Sequence, residues 1–162
     1  MKFEEQFFVK FNFTREQVQL NLKNAFRDLT IAQQDKISEV KFSYAYTAII
    51  KAGIAVLSHR QIKAKSVPGH HIKIIEKLAE FLGDESIADM ANVMRSKRNL
   101  DLYAGGIEIT DKECRDYLSF AENVLLKVKS LLHSDGQVAE ARFNNPKSKI
   151  ISGKELRKGL GI

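Results

Sequence analysis

Phe42-Ser43-Tyr44-Ala45-Tyr46-Thr47-Ala48-Ile49-Ile50-Lys51-Ala52-Gly53-Ile54-Ala55-Val56-Leu57 decides the fold of this chain. Phe42, Ala45, Tyr46, Ile49, Ala52, Gly53 and Val56 recur at helical spacing and form one stripe. Ile50, Ile54, Ala55 and Leu57 fill the other faces, so the helix is apolar almost all round. A helix of that kind sits at the centre of a bundle, covered on several sides. It is read as running from about Ser38 to His59. Gly53 on its inner face costs about 1 kcal/mol relative to alanine. Either a neighbouring helix approaches closely there, or the glycine is a tolerated weak point. The apolar run Tyr44–Leu57 is interrupted by Lys51 and is too short to span a bilayer.

Working outward, the flanking segments supply helices to cover it. Thr14 and Gln17 form a capping box ahead of Val18, Leu22, Ala25, Phe26 and Leu29, predicting a first helix to about Gln33, with a break at Asp35-Lys36. After the central helix, Arg60, Lys63, Lys65 and Ser66-Val67-Pro68-Gly69 read as a basic loop. A third helix starts near Gly69 or His70, buries Ile74, Ile75, Leu78, Phe81 and Leu82, and ends at Gly83. Asp84 caps a fourth, whose inner stripe is Ile87, Met90, Ala91 and Met94, and Gly105-Gly106 stops it. Thr110 and Glu113 open a fifth, Thr110 to His133, closed by Ser134-Asp135-Gly136. The expected fold is therefore all-α, an antiparallel bundle of four to five main helices over residues 14–133. Residues 1–13 carry Phe3, Phe7, Phe8, Phe11 and Phe13 and read as an aromatic arm, either a small strand or a segment packed on the body. Residues 134–162 form a basic C-terminal tail, with a short helix over Gln137 to Phe143 and then Lys147, Lys149, Lys154, Arg157 and Lys158. The tail either folds onto the bundle or binds a partner.

The chain has 162 residues and a formal net charge of +6, a moderate lean toward polyanions such as RNA, DNA or an acidic protein. Its length suffices for a core without staples. The single cysteine, Cys114, lies on an apolar stripe and reads as a buried, inert thiol. Early Glu4 and Glu5 do not fit a signal peptide, so a cytoplasmic location without membrane contact is expected. No phosphate-binding glycine loop, Cys-x-x-Cys or helical histidine pair at metal spacing occurs, and neither a metal nor another cofactor is expected.

The chemistry concentrates in Met94-Arg95-Ser96-Lys97-Arg98-Asn99-Leu100-Asp101-Leu102-Tyr103. The apolar stripe of the fourth helix continues from Met94 onto Arg98 and then Asp101. Burying either charge unpaired costs several kcal/mol, so the seam opens onto a cleft or a partner, or the helix outgrows the bundle into water. Arg95, Arg98 and Asn99 share one face and make a phosphate grip, with Lys97 to the side. The plainer alternative is a local surface salt-bridge cluster. His70 and His71, adjacent at a helix start, are poor zinc ligands. They suit a phosphate at the helix N-terminus, or are simply polar side chains there.

On these residues, the stretch from Phe42 to Leu132 resembles a HEPN domain: the helix Phe42-Ser43-Tyr44-Ala45-Tyr46-Thr47-Ala48, the loop into Gly69-His70-His71, and Arg95-Ser96-Lys97-Arg98-Asn99 followed by Tyr103. The resemblance implies a helical bundle that pairs as a homodimer through the motif. It further implies metal-independent cleavage of RNA, a toxin partnered by a nucleotidyltransferase-like antitoxin, or a non-catalytic module for nucleic acid, nucleotide or protein. The family's catalytic pattern is an arginine, usually a polar residue next, then a histidine four to six residues on. Arg98 and Asn99 match its first half, and Tyr103 stands where the histidine would be. These three are the catalytic candidates; Arg95, Lys97, His70 and His71 are the candidates for nucleic-acid or phosphate binding. A phenol of ordinary pKa near 10 is a poor base at neutral pH. His59, His70 or His71 is the substitute the sequence offers.

Overall fold

A computed structural model describes residues 3–103, 105–106 and 108–143, with side chains described for 3–100, 105–106 and 108–137. In chain order the elements are β1 (Phe8–Lys10), α1 (Arg15–Gln34), α2 (Ser38–His59), β2 (Ile62–Ala64), α3 (His70–Leu82), α4 (Ser86–Tyr103) and α5 (Asp111–Phe143). The fold is an all-α helical bundle with one small two-stranded sheet. The chain divides into two compact units, residues 1–132 and 133–162; the described part of the second is the end of α5.

The central helix is where its composition puts it. Phe42, Ala45, Tyr46, Ala48, Ile49, Ile50, Ala52, Ala55, Val56 and Leu57 of α2 are all buried. Its 22 residues are long and apolar enough to cross a membrane, more than the Tyr44–Leu57 run suggests. In the structure most of the helix is covered by other helices. Gly53 is the close approach: a Cβ there would lie 2.5 Å from Ile74 Cγ2, so α3 packs against the bare backbone. Val18, Ala25, Leu29 and Ala32 of α1 cover a second side. Cys114, Tyr117, Ala121, Val124, Leu125 and Val128 of α5 join the same core, and the Tyr117 ring lies 5.2 Å from that of Phe42.

The helix ends follow local chemistry. The Thr14 hydroxyl accepts from Gln17 N–H while the Gln17 side chain accepts from Thr14 N–H, a complete capping box. Thr110 and Glu113 make the same reciprocal pair at the start of α5. Asp84 Oδ1 accepts from Ser86 N–H at 3.1 Å to start α4, and Gly83 ends α3 in the left-handed region at φ 65°.

Three expectations are corrected. Ile62-Lys63-Ala64 is a strand rather than part of a basic loop, and the aromatic arm is its partner: Phe8 pairs with Ala64, Val9 with Lys63 and Lys10 with Ile62, antiparallel. Gln61 makes the turn from α2 into β2 at φ 59°. Its side-chain oxygen accepts from Phe13 N–H at 2.7 Å and its amide donates to Phe13 O at 3.3 Å, so it locks the arm while bending the chain. Helix α5 passes through Ser134-Asp135-Gly136 without stopping, because one solvated glycine weakens a helix without ending it. Met90 is 40% exposed rather than inside, on a face of α4 shared with exposed Val93 and Leu100. The basic tail after Phe143 lies outside the described residues.

A buried charge escaped the sequence reading. Asp28 is 1% exposed, and Lys51 Nζ sits 2.5 Å from its Oδ2. Lys51, the interruption in the apolar run, is thus the counter-ion that makes burial of that carboxylate tolerable.

Candidate functional site

The cleft that gathers the chemistry has a volume of about 420 Å³ and lies where three elements meet. Tyr46 of α2 forms its floor, Ser66-Val67-Pro68-Gly69 and the first residues of α3 form one wall, and Arg95, Arg98 and Asn99 of α4 form the other. Two grooves elsewhere are roomier, about 680 and 630 Å³. Of these three, and among the described residues, the first brings together two guanidiniums and two imidazoles, so chemistry rather than volume selects it.

Each wall has a local cause. Gly69 adopts φ 80°, which turns the chain out of the loop and into α3 and leaves His70 and His71 on the first turn. On α4, Met94 is fully buried, and the stripe carries on one turn later to Arg98, half-buried at the cleft. Of the outcomes the sequence left open, the seam opens onto a cleft at Arg98. The Arg98 guanidinium lies 5.5 Å from the centre of the Tyr46 ring, a cation–π contact. Arg95 Nε donates to Asn92 Oδ1 at 3.3 Å, which steadies the second guanidinium along its own helix.

The two histidine rings stand together. Their ring centroids are 4.4 Å apart at 65°. His70 Nδ1 lies 2.7 Å from the Val67 carbonyl oxygen, and His71 Nδ1 lies 3.4 Å from the Tyr46 hydroxyl. Burial, and then the neighbouring His70 and Arg98, push the His71 imidazole below its ordinary pKa. Burial pushes the Tyr46 phenol up, partly opposed by Arg98 and Arg95. At neutral pH His71 is thus a neutral imidazole beside a phenol that keeps its proton.

The structure brings Arg95, Arg98, Asn99, His70 and His71 to one cleft. It does not bring Lys97 there: Lys97 pairs with Glu113 and lies 5.8 Å from the centre of the Tyr117 ring. The hydrogen bonds from Lys97 and from Thr110 hold the Glu113 carboxyl at about 2. Tyr103 is the last residue of α4, and its side chain, like that of Asp101, lies outside the described residues. Tyr46 was legible only as part of the core stripe; its hydroxyl on an otherwise apolar surface was the signal for a second role.

Chemically the cleft is a set of donors around a small volume. Fixed guanidinium charge, an amide and imidazole N–H groups suit an anion that presents several oxygens, above all a phosphate. No protein-family model, curated protein or solved structure matches the chain.

Proposed function

We propose that the cleft binds a phosphodiester of RNA, and that the chain is a HEPN-type protein acting on RNA as a metal-independent ribonuclease. The convergence of Arg95, Arg98 and Asn99 with His70 and His71 on one cleft carries the reading. Cleavage of RNA by its own 2′-hydroxyl needs charge on the phosphorane and a side chain that can take up a proton. Arg98 and Arg95 supply the first. The imidazoles of α3 supply the second, in place of the histidine that the motif lacks at Tyr103. The net charge of +6 favours approach of a polyanion.

The test is incubation of purified protein with mixed-sequence RNA in EDTA, beside Arg98→Ala. Cleavage by the wild type that falls by roughly 10²-fold or more in the variant, with helix content retained, is expected. Salt-sensitive RNA binding that Arg98→Ala abolishes, without cleavage, makes the cleft a binding module instead. The absence of both cleavage and RNA binding overturns the reading.

A further inference from the structure

The proton positions in the cleft follow from what each Nδ1 touches. His70 Nδ1 is 2.7 Å from the Val67 carbonyl oxygen. A carbonyl only accepts, so this nitrogen carries a proton and donates it. The neutral His70 ring then leaves its lone pair on Nε2. The second histidine has a different partner. His71 Nδ1 is 3.4 Å from the hydroxyl of Tyr46, which is 1% exposed. A buried hydroxyl needs an acceptor for its proton, and among the described residues His71 Nδ1 is the hydrogen-bond partner of this one. The phenol donates, Nδ1 accepts, and the proton of neutral His71 resides on Nε2.

We propose that His70 and His71 hold opposite tautomers in one cleft and divide the work on an RNA phosphodiester, His70 Nε2 accepting the 2′-hydroxyl proton and His71 Nε2–H donating to a non-bridging phosphate oxygen. Tyr46 is a positioning residue: it fixes the His71 tautomer and also carries the Arg98 guanidinium over its ring. The inference rests on the RNA reading of the cleft. In the step, the 2′-hydroxyl proton passes to His70 Nε2 as the O2′–P bond forms. Arg95, Arg98 and His71 N–H hold the charged phosphorane oxygens. The P–O5′ bond then breaks, O5′ takes a proton from water, and the His70 imidazolium gives its proton back to the resulting hydroxide. The products are a 2′,3′-cyclic phosphate and a 5′-hydroxyl, with no net gain or loss of protons.

Proton placement is read without RNA, by ¹H–¹⁵N correlation of the histidine rings at a pH where both are neutral. Opposite patterns of bare and protonated ring nitrogens at His70 and His71 are expected; the same pattern on both overturns the proposal. Tyr46→Phe is expected to release His71 to a mixture of tautomers with His70 unchanged, and an unchanged His71 removes Tyr46 from its role. Cleavage of mixed-sequence RNA in EDTA reads the division of labour. In His70→Asn the amide nitrogen stands where Nδ1 was and keeps the Val67 bond, but nothing replaces Nε2, so a loss of roughly 10²–10⁴-fold is expected. His71→Gln, whose amide stands near Nε2, is expected to retain more activity than His71→Asn. Wild-type cleavage that His70→Asn leaves intact overturns this inference alone. Absence of cleavage by the wild type overturns the proton transfer, and absence of RNA binding as well overturns the RNA reading, while the ring-nitrogen pattern still decides the tautomers.

Discussion

Gly53 shows what one missing Cβ does. A methyl group there would stand 2.5 Å from Cγ2 of buried, β-branched Ile74, well inside contact distance. Overpacking of this kind costs about 1–3 kcal/mol, and alanine's better helix propensity returns about 1 kcal/mol at most. Gly53→Ala is therefore expected to lower the urea midpoint. Ile74→Leu, which removes the β-branch methyl in question, is expected to cost less in the Gly53→Ala background than alone. A double-mutant cycle by equilibrium unfolding measures both, and simple additivity would place the strain elsewhere. The close approach was one of the two readings the sequence offered for a glycine on the inner face of an apolar helix, and the Ile74 contact selects it. The shared face of Arg95, Arg98 and Asn99 was legible outright, since helical spacing alone fixes it. Burial of Cys114, whose thiol is pushed up by desolvation, followed from its stripe in the same way. The Tyr46–His71 contact and the Asp28–Lys51 pair were not legible. Each joins residues far apart in sequence, and periodicity says which face a residue takes without saying what stands opposite.

At the scale of elements, most helix ends were readable, the false stop at Ser134-Asp135-Gly136 excepted, and strand pairing was not. A capping box is a four-residue pattern, so both boxes and the Gly83 terminus were visible before any packing was known. Strand β2 is three residues long, and its partner lies more than fifty positions earlier, too short and too distant for a period-2 signal. Gln61 adds a side-chain lock to the pair. It accepts a left-handed backbone at φ 59° and returns two side-chain hydrogen bonds to Phe13. Hydrogen bonds of this kind contribute about 0.5–1.5 kcal/mol each, and a non-glycine residue in the left-handed region costs about 1–2 kcal/mol. Gln61→Ala loses the bonds and keeps the strain. Gln61→Gly loses the bonds and sheds the strain. The alanine variant is expected to be less stable than the glycine variant, and amide exchange at Phe13 is expected to quicken in both. Slow exchange at Phe13 in either variant would mean that the sheet, not Gln61, seats the arm.

At the scale of the whole molecule, the shifted groups set how the fold responds to acid, in two separate windows. His71 has its folded pKa pushed below the ordinary 6.5, mainly by burial. Unfolded chains take up that proton first as pH falls, so the stability tied to neutral His71 is complete above about 6.5 and declines from there toward the lowered folded value. Glu113 is held at about 2 against an ordinary 4.5, by Lys97 and the Thr110 cap, and Asp84 is held below 3.8 by Lys127 and Ser86. Their contribution is complete above about 4.5 and is lost as pH falls toward 2. The carboxylates are solvent-facing, so each one's share is small and falls with added salt. The net charge of +6 grows as carboxylates and histidines protonate, which adds self-repulsion in the same direction. Thermal midpoints followed from pH 8 to pH 3 are therefore expected to fall in two steps, the upper one insensitive to salt relative to the lower. His71→Gln is expected to flatten the first step, and Glu113→Gln to flatten the second while costing stability at neutral pH. A His71→Gln profile that keeps its upper step would assign that step to another histidine and would remove the buried, neutral imidazole from the account of the cleft. Retention of the lower step in Glu113→Gln would instead move the acid sensitivity onto Asp84, with its bond to Lys127, and Glu16 at the start of α1, whose carboxyls are also held low.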